Sequence, residues 1–242
     1  MVQAKAPDHT GVILGEVPRS FYIQHFKTYT LCAGHVKDKR VLEIGFGYGY
    51  GTEYIADFAK EIYAIDLMEE KVRTVSEKST KSNVKFMQMD GADLKFEDRS
   101  FDVVLAFHLI EHIPRAEHDL FLEGIKRVLR DDGKFIVLTP NVLKMIKKDQ
   151  VYEKNPYHDL EFTYELFEEL LTKHFSHVDM NVVDFSFKHK MIIALKRMGI
   201  FKSFPKRFNI VARFLDNIDV KEYVMKKKNI KMAHDLFAIC SK

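Results

Sequence analysis

Three residues that can move protons or hold a metal stand together in the stretch FHLIEHIP: His108, Glu111 and His112, spaced i, i+3 and i+4. If a helix begins where the preceding apolar run ends, that spacing puts all three on one face. His158, in NPYHDLEFT, sits in a later loop expected to face the same cleft. Two chemistries suit such a set. An imidazole takes up a proton near neutral pH, so His112 or His158 can act as general base while Glu111 orients a ring. Alternatively, His108, Glu111, His112 and His158 supply ligands for a divalent ion that gathers substrate oxygens. The plainer alternative is that Glu111 and His112 make structural hydrogen bonds beneath a cleft.

A second stretch, VLEIGFGYGYG (41–51), places glycines at every second position after a β-branched apolar run. Gly45, Gly47 and Gly49 permit a tight turn and close backbone approach to a ligand. A following helix offers unpaired N–H groups to an anion. Asp66 closes the next apolar run, where a carboxylate can accept both hydroxyls of a ribose. Two adenosine-containing ligands fit. A dinucleotide asks for GxGxxG, yet the sixth position counted from Gly45 is Tyr50 and from Gly47 is Thr52. The other is S-adenosylmethionine (SAM), whose ammonium Glu43 can hold directly or through water.

The elements that must carry these residues alternate. Strands are expected at 41–44, 61–66, 84–90, 102–107, 134–140, 177–185 and 234–240, and helices at 51–60, 69–79, 115–129 and 163–174. Thr163 reads as the cap of the last of these, with Leu166, Leu170 and Leu171 inward. A helix over 20–36, capped by Ser20, precedes them, after an irregular lead-in over 1–19. Continuous apolar strands alternating with helices predict an α/β domain, a doubly wound, mostly parallel seven-stranded sheet. The last strand follows a long helical insertion and is expected antiparallel at the edge. One domain spans 1–242, with a basic helical insertion or cap at 186–232.

Composition narrows the function classes. The chain is 46% apolar, enough for a buried core, and no apolar run is long enough to suggest a membrane span. The first twenty residues lack the apolar core of a signal peptide. Cys32 and Cys240 form no CxxC, which excludes a cysteine-rich zinc site and makes a reducing cytoplasm the expected compartment. Charge is uneven: from Phe185 to Met232 there are 13 Lys/Arg against three Asp/Glu. A basic segment on an acidic body points to an anionic partner, or to a solvated lysine-rich surface. Within it, Met191, Ile192, Leu195 and Met198 fall on one side of a helix. That side either packs on the body or lies on anionic lipid, where a lipid-linked sugar would be presented, giving peripheral membrane contact. Nucleic acid also suits the charge, but no RNA-binding module is recognisable.

VLEIGFGYGYGT, IYAIDL, MDGADLKFEDRSFDVVLAFHLIEHI and RVLRDDGKFIVLTPN, in this order, together resemble class I SAM-dependent methyltransferases. The resemblance implies a Rossmann-like fold and SAM as cofactor. It assigns adenine contacts to Asp90, Gly91 and Leu67, and the cofactor wall near the methyl group to Phe107. Phe46 stands where the usual pattern has cysteine. FKTYTLCAGHVKDKRVLEIGFGYGYGT, AFHLIEHIP and NPYHDLEFT resemble, more narrowly, methyltransferases of surface-glycan and O-antigen synthesis, which implies a sugar or glycan hydroxyl as acceptor and O-methylation. In this superfamily an insertion before the last strand often roofs the substrate cleft. The xxEH cluster also resembles the metal site of small-RNA 2′-O-methyltransferases, although His108 stands where those usually carry Glu. A non-catalytic SAM-binding subunit and, against the missing third glycine, an NAD-dependent oxidoreductase are the remaining readings.

Overall fold

The computed structural model describes residues 15–146, 151–199, 201, 203–227 and 232–242. The lead-in expected before residue 15 and part of the insertion lie outside the described residues. Among the described residues eight strands form one sheet: β1 (Arg40–Ile44), β2 (Glu61–Asp66), β3 (Val84–Gln88), β4 (Phe101–Phe107), β5 (Leu129–Pro140), β6 (His177–Phe185), β7 (Tyr223–Lys226) and β8 (Asp235–Ser241). Their order is β3-β2-β1-β4-β5-β8-β6-β7. The pairs among β1 to β5 are parallel, and β8 runs antiparallel between β5 and β6. This is the Rossmann-like methyltransferase fold expected from the sequence, with two differences. The count is eight because YVMK, inside the insertion, pairs antiparallel with β6. The last strand is internal, since its run DLFAICS is apolar on both faces and buries best between two neighbours.

Helices cover both faces. On one lie α1 (Arg19–Val36), α2 (Tyr50–Ile55) and α3 (Glu69–Lys78), over Val41, Val103, Leu105 and Phe107. On the other lie α4 (His118–Val128) and α6 (Tyr164–His174), over Leu42, Ile44, Val104 and Ala106. Successive strand residues thus feed opposite layers, as the pleat requires. Four residues, α5 (Val142–Met145), follow β5, while α7 (Phe187–Met198) and α8 (Ile210–Asp216) precede β7.

Local chemistry sets several boundaries. The Thr163 hydroxyl accepts from the Leu166 N–H at 3.2 Å and starts α6, as its position before the leucines predicts. Ser20, expected to cap α1, lies inside its first turn, because Pro18 occupies the cap position and fixes φ ahead of the helix. Cys32 and Cys240 are free, buried and in opposite layers.

Candidate active site

The strand-to-helix turn after β1 is built around Gly45, Gly47 and Gly49, all at positive φ. Gly47 is the informative one: at φ 60° a side chain is strained, yet a Cβ there would meet no atom within 4 Å. Backbone is bare on a surface left open, as a ligand lying against the turn requires. The fourth glycine, Gly51, serves packing instead. A Cβ there would fall 2.0 Å from the Tyr29 ring, so α1 and α2 meet only because that position is bare.

Around the turn, the Asp66 carboxylate accepts from Gly47 N–H at 3.2 Å and Met68 N–H at 3.0 Å, which aims it back at the loop from the end of β2. Asp90 follows β3 and accepts from Ala92 N–H at 2.8 Å, next to Gly91. Leu67, directly after Asp66, is exposed. Glu43 is buried, with Tyr29 Oη donating to one carboxylate oxygen at 2.9 Å and Thr52 Oγ1 to the other at 2.7 Å. Burial pushes its carboxyl up to about 7, against the pull of those two bonds. A cation beside Glu43 would restore the charged form. Phe107, at the end of β4, is buried edge-on to Tyr29 with ring centres 5.2 Å apart. Bare backbone, ribose-height carboxylate and buried acid fit the parts of SAM.

The next residues depart from expectation. His108 has φ 50°, and only a short 3₁₀ turn, Ile110–His112, follows. The i, i+3, i+4 spacing therefore does not form one helical face. Glu111, His112 and His158 come together, with one ligand atom from each lying within 4.8 Å of the others. His108 turns elsewhere, its ring stacked on His25 at 3.8 Å between centres. Its Nδ1 is 3.9 Å from Glu111 Oε1, and its buried Nε2 has no hydrogen-bond partner. Burial holds the His108 imidazole down at about 4, so it is neutral at pH 7.

His112 Nδ1 lies 2.8 Å from the Tyr157 carbonyl oxygen. A carbonyl only accepts, so Nδ1 carries the proton and Nε2 keeps its lone pair. Burial lowers this imidazole, against that bond. The orienting partner is thus Tyr157 backbone, where Glu111 was expected. Glu111 instead accepts from Thr139 Oγ1 at 2.9 Å, and burial raises its carboxyl to about 8. His158 is buried with Nδ1 3.1 Å from Glu161 and Nε2 3.1 Å from the Asn155 amide, which fixes its ring. Asp159 N–H, donating to the Glu111 carbonyl at 2.8 Å, locks this loop onto the 3₁₀ turn.

Residues that sequence reasoning missed complete the surroundings. At the start of β8, Asp235 is buried and accepts from Gln24 Nε2 at 3.1 and 2.9 Å, with His234 Nδ1 3.2 Å away. Burial opposes charge on His234, but the Asp235 field and hydrogen bond outweigh it and raise the imidazole. His25 and Gln24 come from α1. The available signal was a polar pair, His234 and Asp235, at the head of an otherwise apolar strand. A depression lined by Arg40, Lys60, Glu61, Asp102 and Arg130 lies at the opposite, amino-terminal edge of the sheet. There Arg40 pairs with Glu61 and Arg130 with Asp102, which closes charge across strands.

Fold and turn thus have the form seen in SAM-dependent methyltransferases. Residues 42–137 match the family model described as a methyltransferase domain. A probable SAM-dependent methyltransferase of Mycobacterium tuberculosis is 35% identical over 126 residues, 52% of this chain and 44% of that protein. A fatty-acid O-methyltransferase of Mycolicibacterium smegmatis is 36% identical over 109 residues, 44% of this chain and 39% of that protein. The chain thus spans less than half the length of these two relatives. Among solved structures, the DhpI complex with SAH superposes with a TM-score of 0.55 at 18% identity, covering 89% of this chain and 81% of DhpI.

Proposed function

We propose that the protein transfers a methyl group from SAM to an oxygen, a hydroxyl of a sugar, glycan or similar polar small molecule. The observation that carries this is His112, whose proton is committed to Tyr157 through Nδ1 while Nε2 remains a proton acceptor at the carboxyl end of the sheet. SAM supplies a methyl group already activated by a sulfonium. The chain then has to align the acceptor, exclude water and take up one proton. Gly47 and Asp66 hold the nucleoside, and Glu43 neutralises the ammonium of the methionine moiety. His112 takes the hydroxyl proton, and His158, fixed by Glu161 and Asn155, holds the loop that orients it. The histidine-rich surroundings favour a hydroxylated acceptor over an acyl chain, although one relative bears the name of a fatty-acid O-methyltransferase.

A divalent ion is a second reading, motivated by the convergence of Glu111, His112 and His158. One carboxylate and two imidazoles suit a borderline ion such as zinc or manganese. Against it, both His158 nitrogens already face partners. Turnover unchanged by a chelator would remove this reading.

The test is calorimetric titration with S-adenosylhomocysteine, NAD as control, followed by methyl transfer to hydroxylated acceptors. Micromolar homocysteine-product binding that Asp66→Ala abolishes, with turnover lost in His112→Ala, is the expected result. NAD binding, or no binding of either, would overturn it. Product binding without turnover on any acceptor would favour a non-catalytic SAM-binding subunit.

A further inference from the structure

Helix α7 is anchored on one side and bare on the other. Ser186 Oγ accepts from His189 N–H at 3.0 Å and caps the helix, and Ser186 N–H donates to the Glu222 carbonyl at 2.8 Å. His189 is buried against Phe185, at 4.1 Å between ring centres, and against Tyr223. Ile192 is buried one turn along, and Lys190 pairs with Asp184. This inner face fixes the helix rotation. At 3.6 residues per turn, Phe187, Met191 and Met198 then fall within about 40° of one another, on the far side from His189 and Ile192. They are 79%, 51% and 69% exposed. The sequence had placed Met191 and Met198 on one side with Ile192; in the structure the two methionines face solvent and Ile192 faces inward. Farther along the insertion, Phe204, Phe208 and Ile210 are each more than half exposed. From Phe185 to Leu215 the chain holds eight Lys/Arg and no Asp or Glu.

We propose that α7, with the exposed Phe204, Phe208 and Ile210 beyond it, docks the enzyme on an anionic lipid bilayer. Phe187, Met191 and Met198 enter the headgroup–acyl boundary, and the flanking cations meet lipid phosphates. Six bulky apolar side chains held in water are costly, and a bilayer relieves that cost while pairing the charges. Nucleic acid would meet the lysines but leave the Phe and Met ridge wet. A second copy using this face would oppose two surfaces rich in lysine and arginine. Long Lys and Arg stems can lie along the apolar ridge with their heads at the phosphates. No described helix is long and apolar enough to cross a membrane, so the contact is peripheral.

The experiment is sedimentation of the full chain with vesicles of phosphatidylcholine alone, and with phosphatidylglycerol added. The chain has no tryptophan, so Phe187→Trp provides a single emission reporter. Expected are binding that requires phosphatidylglycerol and weakens with salt, and a blue shift of Trp emission on mixing. A Met191→Ser/Met198→Ser variant should bind about tenfold or more weakly, with melting and homocysteine-product affinity unchanged. Lys188→Gln/Arg197→Gln, at the cations on either side of the ridge, should weaken binding to anionic vesicles in the same direction. Equal binding to both vesicle types, no binding, or binding indifferent to the methionine variant would overturn the proposal. So would retention on poly(U) without vesicle binding, or a dimer that the methionine variant dissociates. None of these readouts requires the acceptor to be known.

Discussion

At the scale of single residues, the site runs on buried groups whose ionisation the fold has shifted. Glu43 is the clearest. In the ligand-free protein its raised carboxyl contributes stability below pH 4.5 that is lost as pH rises through about 7, because the buried site must then hold a bare anion. A ligand ammonium set beside it reverses that preference. Binding of S-adenosylhomocysteine below pH 7 should therefore release a proton and tighten as pH rises. Calorimetry in two buffers of different ionisation enthalpy reads this directly, and Glu43→Gln should abolish the dependence. His112→Ala should lower kcat by about a hundredfold while leaving product affinity nearly unchanged, as expected of a lost base. Glu111 makes a separate point. Raised to about 8, it is protonated at pH 7, so Glu111→Gln should leave the melting temperature close to wild type. Glu111→Ala strands the buried Thr139 hydroxyl and opens a void, costing about 2–3 kcal/mol in urea unfolding.

At the scale of elements, the contact between α1 and α2 couples fold to site. Tyr29 bridges them: its ring covers Gly51 and its hydroxyl reaches Glu43. Gly51→Ala must push that ring aside, a loss of about 1–3 kcal/mol with weakened product binding. Pairing it with Tyr29→Leu should cost less than the two single changes added together, since the clash is then relieved. A sum that is strictly additive would mean the two positions do not meet. The α6 cap gives a simpler check. Thr163→Ala removes the acceptor for Leu166 N–H and should lower stability by about 1 kcal/mol without altering turnover.

At the scale of the whole molecule, the position of β8 decides what the insertion does. Because β8 runs between β5 and β6, the sheet closes only after the insertion has been spanned. Removing residues 234–242 should abolish the cooperative thermal transition seen by circular dichroism, since a central strand is lost together with buried Leu236, Phe237, Ala238 and Cys240. A truncated chain that still melted cooperatively would mean that β8 acts as a dispensable edge. The insertion returns on the same side as α1, where the Arg19 guanidinium donates to the Ile218 carbonyl at 3.1 Å.

Much of this was legible in the order of residues alone. Strand–helix alternation, the glycine turn, Asp66 at the end of β2 and the Thr163 cap are local patterns, each set by backbone sterics and pleat or helix period within a few residues. What came from the tertiary structure alone involves neighbours distant in the chain. His108 leaves the xxEH group because its backbone turns at positive φ and its ring stacks on His25. His112 is oriented by the carbonyl of Tyr157, forty-five positions later. His234 and Asp235 reach the site only because β8 inserts between β5 and β6, and Met191 faces water because His189 and Ile192 set the rotation of α7. Periodicity names a face but cannot say which side the rest of the molecule will cover, because that depends on contacts made only once the sheet has closed.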